Sequence, residues 1–282
     1  MNKKMDFTKF VAAGNDFVLI DNRFSRMNGT RLAVLAKRMC DRKYGAGADG
    51  LLFVERSNKA DFKMRIFNAD GSEPEMCGNG SRCFALYCAK LKGRSVLALK
   101  IETLAGIISA HVNKNQVRVN LTAPHGLRLD VPVSVSGRTL HVNYIDTGVP
   151  HGIIFVEGLP SMEIVDLGRA IRYHKSFAPR GTNVDFVEVT AENSITIRTY
   201  ERGVEGETLA CGTGSVASAL ITGLKSQQLK FAQSAMAVQR KFSVLTRGGE
   251  VLKIYFTLTG NKFSDVWLEG KACIVYKGVW HV

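Results

Sequence analysis

The feature that most constrains the fold is a cysteine motif that occurs twice at matching spacing. Cys77 is followed by Gly-Asn-Gly, and Cys211 is followed by Gly-Thr-Gly. Gly14 precedes Cys77 by 63 positions (77 − 14), and Gly148 precedes Cys211 by 63 positions (211 − 148). A repeat of about 130 residues is too long for a solenoid, so the pattern indicates an internal duplication.

A second pair of polar residues also stands at equal distances before the two cysteines. Asp49 precedes Cys77 by 28 positions (77 − 49), and Asn183 precedes Cys211 by 28 positions (211 − 183). Each of these polar residues stands just before an apolar strand. We therefore expect an α+β fold with two pseudo-symmetric domains and an active-site cleft between them, where the two cysteine-bearing helix starts would face each other.

The domain boundary is best placed at Thr122–Gly126, a polar segment that contains proline and glycine. We expect the first domain, which carries Cys77, to comprise residues 1–124 together with residues 270–282. The second domain, which carries Cys211, would comprise residues 125–269.

Hydrophobic periodicity predicts strands and helices in a matching order in the two halves. The predicted helices span Thr30–Arg42, Gly80–Leu91 and about Ser161–Arg172, with Thr30 and Ser161 as N-caps, and a further helix of small residues follows Cys211. The acidic segment before Cys211 is interpreted as a turn. The predicted strands include Asp6–Val11, Phe17–Asp21, Leu51–Glu55, Asp61–Phe67, several between Ser95 and Leu121, Thr139–Ile145, Ile153–Val156, Val184–Val189, Ser194–Tyr200, residues 238–246, residues 251–259 and residues 267–278.

A cysteine directly before a helix lies against unpaired backbone N–H groups and the positive end of the helix dipole. Such a position lowers a thiol pKa from about 8.5 to roughly 3.5–7.5. The same N–H groups can bind a carboxylate. The sequence therefore predicts two reactive thiols, each beside an anion site.

Composition narrows the class of protein. The chain has six cysteines and no apparent export signal, so we expect reduced thiols, a cytoplasmic location and no membrane span. Cys83 and Cys88 fit the buried face of their helix. No CxxC pair is present and the six histidines are scattered, which argues against a metal site. The net charge of +13 permits nucleic-acid binding, but the basic residues are dispersed, so we interpret them as a solvated basic surface.

Two thiols on opposite sides of one carbon suit an amino-acid epimerase. One group removes the α-proton as a base, and the other returns a proton to the opposite face as an acid. Helix-start N–H groups can stabilise the carboxylate of the resulting carbanion without a metal or a pyridoxal cofactor. We therefore expect a cofactor-independent enzyme whose partner is a small-molecule amino acid rather than a nucleic acid or a membrane.

Several motifs together resemble the diaminopimelate epimerase family over essentially the whole chain. They are Gly14-Asn15-Asp16-Phe17, Asn68-Ala69-Asp70-Gly71-Ser72, Met76-Cys77-Gly78-Asn79-Gly80, Pro150-His151, Thr182-Asn183-Val184, Tyr200-Glu201-Arg202-Gly203 and Ala210-Cys211-Gly212-Thr213-Gly214. The resemblance implies two domains, each a curled, mostly antiparallel sheet around a central helix. It implies interconversion of LL- and meso-2,6-diaminopimelate, for lysine and peptidoglycan precursors, and a homodimer.

The resemblance also implies roles for individual residues. Cys77 and Cys211 would be the proton-transfer groups, and His151 and Glu201 would tune the thiols or orient the substrate. The substrate-binding set would be Asn15, Asn68, Gly78, Asn79, Asn183, Glu201, Arg202, Gly212 and Thr213. Arg202 can bind a carboxylate through two hydrogen bonds, which agrees with this assignment.

Two positions depart from the family pattern. Val149 stands where the family often has asparagine, and valine has no side-chain hydrogen-bonding group. Gly50 stands where glutamine is common. Weaker recognition of the distal end of the substrate would follow, so we expect a measurable side activity on a shorter amino acid such as glutamate.

Three other functions remain open from the sequence. A proline-racemase-like enzyme of the same fold would use similar thiol chemistry. A basic nucleic-acid-binding module would need a continuous basic face or an aromatic stacking platform, and neither motif is found. A thiol redox sensor would form a disulfide between facing cysteines, which we expect only as a reversible inhibitory reaction.

Overall fold

The computed structural model describes residues 4–25, 27–229 and 236–281. The chain divides into two compact units. Unit 1 contains the described residues of Met1–Asn120 and Glu269–Val282, and unit 2 is Leu121–Leu268. The two unit boundaries follow Asn120 and Leu268, whereas the sequence analysis expected them after residues 124 and 269. Of the helices in the described ranges, none has the length and apolar character needed to cross a membrane.

Unit 1 is a sheet with two helices. Its helices are α1 (Gly29–Cys40) and α2 (Gly78–Leu91). Its strands are β1 (Lys4–Ala12), β2 (Asn15–Asp21), β3 (Gly50–Glu55), β4 (Phe62–Asn68), β5 (Val96–Thr103), β6 (Gly106–Asn113), β7 (Gln116–Asn120) and β17 (Cys273–His281). A core that includes Leu32, Met39, Leu51 and Phe53 forms between α1 and the sheet.

Unit 2 is also a sheet with two helices. Its helices are α3 (Val165–Arg172) and α4 (Gly212–Leu229). Its strands are β8 (His125–Val135), β9 (Arg138–Asp146), β10 (Pro150–Phe155), β11 (Asn183–Ala191), β12 (Ser194–Glu201), β13 (Gly206–Thr208), β14 (Val238–Leu245), β15 (Val251–Thr259) and β16 (Lys262–Lys271), the last of which crosses the unit boundary. A core that includes Ile164, Ile171, Phe186 and Tyr200 lies beneath α3.

Strand pairing shows the duplication directly. In unit 1, β1–β2 and β3–β4 are antiparallel, whereas β2–β3 and β4–β5 are parallel. In unit 2, β9–β10 and β11–β12 are antiparallel, whereas β10–β11 and β12–β14 are parallel. The outer partner of β1 is β17, and the outer partner of β9 is β8. The predicted α+β duplication with mostly antiparallel sheets is confirmed.

Wherever two parallel strands pair, the chain segment that connects them contains a helix. The second helix of each unit packs against the sheet of that unit. Helix α2 contacts β1 to β7, and helix α4 contacts β9, β10, β11, β12, β14 and β15. Cys83 and Cys88 are fully buried on α2, as predicted. These two central helices, α2 and α4, begin at Gly78 and Gly212, one residue after each motif cysteine.

The predicted starts of three helices were wrong, and the first of these, the helix predicted from Gly80, begins at Gly78. Helix α1 begins at Gly29, and its N-cap is Asn28 rather than Thr30, because the Asn28 side chain accepts the Arg31 N–H. The helix predicted from Ser161 begins at Val165 instead. A short 3₁₀ turn (Leu159–Ser161) comes first, and the Ser161 hydroxyl bonds back to the Gly158 carbonyl.

Three strand predictions were also incomplete. The segment at Thr122–Gly126 leads straight into β8, a strand that the sequence analysis missed although its apolar residues alternate regularly from Leu127 to Val135. Its pairing with β9 contains two register shifts. The acidic segment after β12 contains the short strand β13. The strand expected over residues 267–278 is divided into β16 and β17, with Ala272 between them.

The close packing of α4 on its sheet yields a stability prediction. A Cβ added at Gly223 would lie 2.7 Å from Cζ of Phe256 and 3.2 Å from Cε2 of Phe242. Gly223→Ala should therefore lower the free energy of unfolding, because overpacking costs about 1–3 kcal/mol and outweighs a helix-propensity gain of about 1 kcal/mol.

Chemical denaturation with a far-UV readout would measure the change. Gly206→Ala is the control, because no atom lies within 4 Å of its added Cβ, and it should shift the free energy by less than about 0.5 kcal/mol. A Gly223→Ala protein more stable than the wild type would contradict the packing account.

Candidate active site

The first predicted site lies at the start of α2 in unit 1. Cys77 is the N-cap residue, and its Sγ accepts the N–H of Gly80 at 3.4 Å. Its carbonyl accepts the N–H of Ser81 at 2.8 Å. The side chain is half-buried. The thiol therefore takes the place that a serine or aspartate oxygen has in an ordinary helix cap.

A chain of hydrogen bonds connects this helix start to the β1–β2 turn. Asn79 Nδ2 donates to Asn15 Oδ1 at 2.6 Å, and Asn15 Nδ2 donates to Asp49 Oδ2 at 3.0 Å. Nη2 of the fully buried Arg82 donates to Asn79 Oδ1 at 2.7 Å. Two predicted binding residues, Asn15 and Asn79, are thus brought together and held in fixed orientations.

Asp16 lies at the Asp49 end of this series of hydrogen bonds, because its backbone N–H donates to Oδ2 of Asp49. It forms ion pairs with Lys9 at 2.8 Å and with Arg42 at 2.9 Å. Burial alone would raise its pKa, but hydrogen bonds from Arg42 and Lys9 lower the pKa of Asp16 to about 2. Arg42 also binds Asp49. The Arg42 side chain is 60% exposed, as a solvated basic surface predicts, and its ion pairs also hold the turn that carries Asn15.

Asn68 and Gly50 lie opposite each other where β4 ends and β3 begins. The exposed Asn68 side chain donates to Ser72 Oγ at 2.9 Å within the turn that leads toward Cys77. A Cβ at Gly50 would lie 3.0 Å from the Phe67 carbonyl oxygen and 3.4 Å from the ring of Phe17. A side chain at position 50 would therefore require these neighbours to shift.

The second predicted site lies at the start of α4 in unit 2 and repeats the first. Cys211 Sγ accepts the N–H of Gly214 at 3.4 Å, and the Cys211 carbonyl accepts the N–H of Ser215 at 2.9 Å. Gly212 is the first residue of the helix. The hydroxyl of Thr213 lies 3.4 Å from Sγ. Thr213 corresponds by position to Asn79, two residues after the cysteine.

Thr213 connects Cys211 to a buried histidine and carboxylate. Its Oγ1 lies 3.0 Å from Nε2 of His151, and Nδ1 of His151 lies 2.7 Å from Oδ2 of Asp185. Both ionisable side chains are 0% exposed. The other Asp185 oxygen accepts the hydroxyl of Thr199 at 2.7 Å. His151 and Asp185 occupy adjacent parallel strands, in which His151 is registered with Asn183.

Burial overrides the helix-start effect at Cys211. Removal from solvent, together with the charges of Glu201 and Asp185, raises the pKa of the Cys211 thiol well above its usual value. The Thr213 hydroxyl and the Gly214 N–H act in the opposite direction. The expected low pKa was therefore wrong for Cys211, which is protonated at neutral pH.

The remaining predicted residues of unit 2 form a polar group at the end of β12. Asn183 Oδ1 accepts the backbone N–H of Arg202 at 2.8 Å, and its Nδ2 donates to the Pro150 carbonyl at 3.0 Å. The Arg202 guanidinium donates to the Arg180 carbonyl at 3.2 Å. Burial, Arg180 and Arg172 lower the pKa of Arg202. A partly buried guanidinium among like charges favours an anionic ligand.

The sequence analysis missed Asp185 and Thr199. The available signal was a single carboxylate within the apolar stretch that follows Asn183. It could not be assigned, because the partner strand that carries His151 is more than thirty positions away. Within the described ranges, no group of three or more His, Cys, Asp or Glu side chains is arranged to hold a metal ion.

A surface groove of about 1000 Å³ lies elsewhere in unit 1. It is lined by α1, β1 and β17 residues such as Phe7, Val34, Arg38 and Val279. None of the predicted site residues lines it. The two cysteine helix starts, one in each unit, are therefore the candidate functional sites.

Comparison with solved structures defines the class of fold. The chain superposes on a phenazine biosynthesis protein of the PhzF family from Bacillus anthracis with a TM-score of 0.74 and 19% identity, covering 99% of this chain and 100% of that one. A hydroxyproline epimerase from Agrobacterium vitis gives a TM-score of 0.72 and 13% identity, covering 100% and 94%. The protein therefore has the duplicated α+β fold of these proteins.

Sequence comparison identifies the family. The diaminopimelate epimerase family matches residues 7–125 and 143–270. A diaminopimelate epimerase of Aquifex aeolicus is 41% identical, covering 97% of each chain. That of Archaeoglobus fulgidus is 42% identical, covering 98% of this chain and 96% of its own. The chain belongs to the diaminopimelate epimerase family.

The raised pKa of Cys211 yields a pH prediction. In a Cys77→Ala variant, the rate at which iodoacetamide alkylates Cys211 should still be rising above pH 9.0, since only the thiolate reacts and burial keeps the thiol protonated. Mass spectrometry of the modified peptide would measure the rate across neutral and alkaline pH.

The Glu201→Gln variant tests whether a neighbouring charge contributes to the raised pKa of Cys211. It removes a charge that raises the pKa of Cys211, so the rate profile should move to lower pH. A Cys77→Ala profile that levels off near the pKa of a free cysteine, about 8.5, would contradict the account.

Proposed function

We propose that this enzyme, an epimerase by family, interconverts LL- and meso-2,6-diaminopimelate by proton transfer between Cys77, Cys211 and the substrate α-carbon. The observation that carries the proposal is the repeated geometry of the two cysteines. Each Sγ accepts the N–H of the third residue after it, at 3.4 Å in both units. An internal duplication that keeps a thiol at both helix starts supports a reaction with two equivalent acid–base groups.

The reaction needs one thiolate and one thiol. The thiolate removes the α-proton from one face, and the thiol on the opposite face gives its proton to the carbanion, which inverts the configuration. The roles exchange for the reverse direction. Because Cys211 is buried and protonated, it fits the proton donor in the resting enzyme, and the half-buried Cys77 fits the base.

The carbanion requires stabilisation of its carboxylate. Backbone N–H groups at a helix start supply hydrogen-bond donors and a positive partial charge. Gly78 and Asn79 begin α2, and Gly212 and Thr213 begin α4, so each unit offers such donors beside its thiol. These groups act as fixed dipoles and require no metal or pyridoxal cofactor.

Arg202 supports recognition of the second carboxylate of diaminopimelate. It lies among Arg180 and Arg172, and the positive charges of these residues disfavour its own. A bound carboxylate would relieve that repulsion and accept two hydrogen bonds from one guanidinium. Asn183, which holds the backbone of Arg202, and the exposed Asn68 complete the proposed binding set together with Asn15 and Glu201.

The cellular role follows from the substrate. Diaminopimelate is a precursor of lysine and of peptidoglycan, so we place the enzyme in that biosynthesis and in the cytoplasm. We also infer a homodimer from the family resemblance. The second enzyme candidate, a proline-racemase-like activity, is less favoured because the family match is to diaminopimelate epimerases.

Removal of either thiol tests the proposal. Cys77→Ala and Cys211→Ala should each reduce epimerisation of LL-diaminopimelate by about 10²–10⁴-fold, because each removes an acid–base group of the reaction. Epimerisation is followed by circular dichroism, and α-proton exchange by NMR in D₂O, without added cofactor.

Cys273→Ala is the control, because this half-buried cysteine belongs to β17 rather than to a helix start. It should keep wild-type activity. Full activity in either motif variant would rule out the two-thiol mechanism.

Val149 yields a specificity prediction. The wild type should racemise glutamate measurably at high concentration, because valine offers no hydrogen bond to the distal end of diaminopimelate. Val149→Asn should raise the ratio of kcat/KM for diaminopimelate to kcat/KM for glutamate. Undetectable glutamate racemisation by a wild type that is fully active on diaminopimelate would contradict this prediction.

A further inference from the structure

We propose that Arg180 is a specificity-determining residue, whose guanidinium binds the distal carboxylate of the substrate together with the guanidinium of Arg202. The inference rests on the proposed function and deepens it. Arg180 lies outside the binding set that the family resemblance implies. The chain would therefore select a dicarboxylic amino acid with two arginines, where the resemblance supplies one.

Three arginines of unit 2 meet at one backbone carbonyl. Nη1 of Arg202 donates to the Arg180 carbonyl oxygen at 3.2 Å, and Nη1 of Arg172 donates to the same oxygen at 3.5 Å. Burial, the charge of Arg180 and then the charge of Arg172 lower the pKa of Arg202, while the charge of Asp146 acts in the opposite direction. This concentration of positive charge favours an anionic ligand.

Carboxylates of the protein neutralise two of these three arginines. Nη2 of Arg172 lies 3.2 Å from Oε1 of Glu205, and Nη1 of Arg180 lies 3.3 Å from Oδ2 of Asp146. Among the residues that the structure describes, no carboxylate forms an ion pair with Arg202. A carboxylate of the substrate therefore has Arg202 as its first partner.

Arg180 has donors left for the same carboxylate. Its side chain is 60% exposed, and Asp146 is bound through Nη1, one part of a guanidinium that carries five N–H donors. The Asp146 side chain is only 4% exposed, and its Oδ1 accepts the N–H of Gly148 at 3.0 Å. Asp146 therefore holds Arg180 next to the turn that carries Val149.

Arg180 does not take over every function of an asparagine at position 149. A guanidinium can only donate hydrogen bonds, whereas an asparagine side chain can also accept one from the distal ammonium group. Arg180 therefore recognises the distal carboxylate alone. The weaker hold on the rest of the distal end that Val149 predicts is unchanged.

The backbone on both sides of this site is held in place. Gly181 has a positive φ of 62°, and its N–H donates to the Phe177 carbonyl at 2.7 Å. A Cβ at Gly181 would lie 2.6 Å from the carbonyl oxygen of Arg172, so the segment packs closely on the end of α3. Because Asn183 Oδ1 accepts the N–H of Arg202, both arginines start from fixed positions, which lowers the entropy cost of binding.

Steady-state kinetics of LL-diaminopimelate give the first test. Arg180→Gln should raise KM about tenfold with a smaller change in kcat, because it removes a charged hydrogen bond made to the substrate before and during the reaction. Arg180→Lys should recover part of the loss, since lysine keeps the charge but not the planar donor pair. An unchanged KM in Arg180→Gln would overturn the proposal.

Two substrate analogues separate recognition of the carboxylate from a general disturbance of the site. 2-Aminopimelate keeps both carboxylates of diaminopimelate and lacks the distal amine, whereas L-lysine keeps that amine and lacks the distal carboxylate. In NMR titrations, Arg180→Gln should weaken binding of 2-aminopimelate about tenfold and leave binding of L-lysine unchanged. Unchanged affinity for 2-aminopimelate, or equal losses for both ligands, would overturn the proposal.

Arg247→Gln is the matched control. Arg247 also belongs to unit 2, its side chain is 51% exposed, and its Nε lies 3.6 Å from Oε1 of Glu207. The variant loses the same charge as Arg180→Gln and should keep the wild-type KM. A rise in KM equal to that of Arg180→Gln would show a general effect of net charge and would overturn the proposal.

The same measurements distinguish this proposal from the proposed function. A wild type that binds 2-aminopimelate but does not epimerise LL-diaminopimelate would defeat the proposed function. The effect of Arg180→Gln on 2-aminopimelate binding would then still decide the role of Arg180. A wild type that binds neither compound would overturn both.

Discussion

The structure depends on a thiol that caps a helix. In both units the cysteine sulfur accepts the N–H of the residue three positions later, and that residue is glycine. The requirement for glycine is steric. A Cβ at Gly80 would lie 3.1 Å from Ile66 and 3.2 Å from Leu52, and a Cβ at Gly214 would meet Asp185. Glycine at this position therefore lets each central helix begin close against its neighbours, with the cysteine sulfur next to the backbone N–H groups of the first turn.

The two cysteine caps have different hydrogen-bonded neighbours. In unit 1, Asn79 joins Asn15 and Asp49 in a chain of amide and carboxylate groups. In unit 2, the equivalent Thr213 joins His151 and Asp185. Duplication has thus kept the cysteine cap and changed the residues that support it. Burial keeps Cys211 protonated, whereas Cys77 is half-buried.

Much of the fold could be predicted from the sequence because the repeat is recorded in fixed spacings. The positions of Gly14 and Gly148 relative to the cysteines gave two domains, and both glycines have the positive φ, 81° and 104°, that their turns require. Helix starts were less accurate, since Asn28 and the 3₁₀ turn before α3 depend on local hydrogen bonds that several nearby polar residues could supply equally well.

The candidate site was predictable only as far as local motifs reach. Cys77 and Cys211 each lie beside their own helix, so their cap geometry follows from a few adjacent residues. The partnership of His151 with Asp185 depends on the register of two parallel strands, which no local pattern encodes. The pKa direction of Cys211 depends on burial by the whole unit, and for that reason the expectation from the helix start alone was wrong.

The most direct test of the central claim is the isotope content of substrate and product early in the reaction. LL-diaminopimelate is converted by the wild-type enzyme in D₂O, and both compounds are analysed by NMR and mass spectrometry at low conversion. Two separate thiols predict meso product with solvent deuterium at the inverted carbon, while the remaining LL substrate stays protiated. Meso product that retains the substrate's own hydrogen at that carbon would show a single base that serves both faces, and would contradict the account.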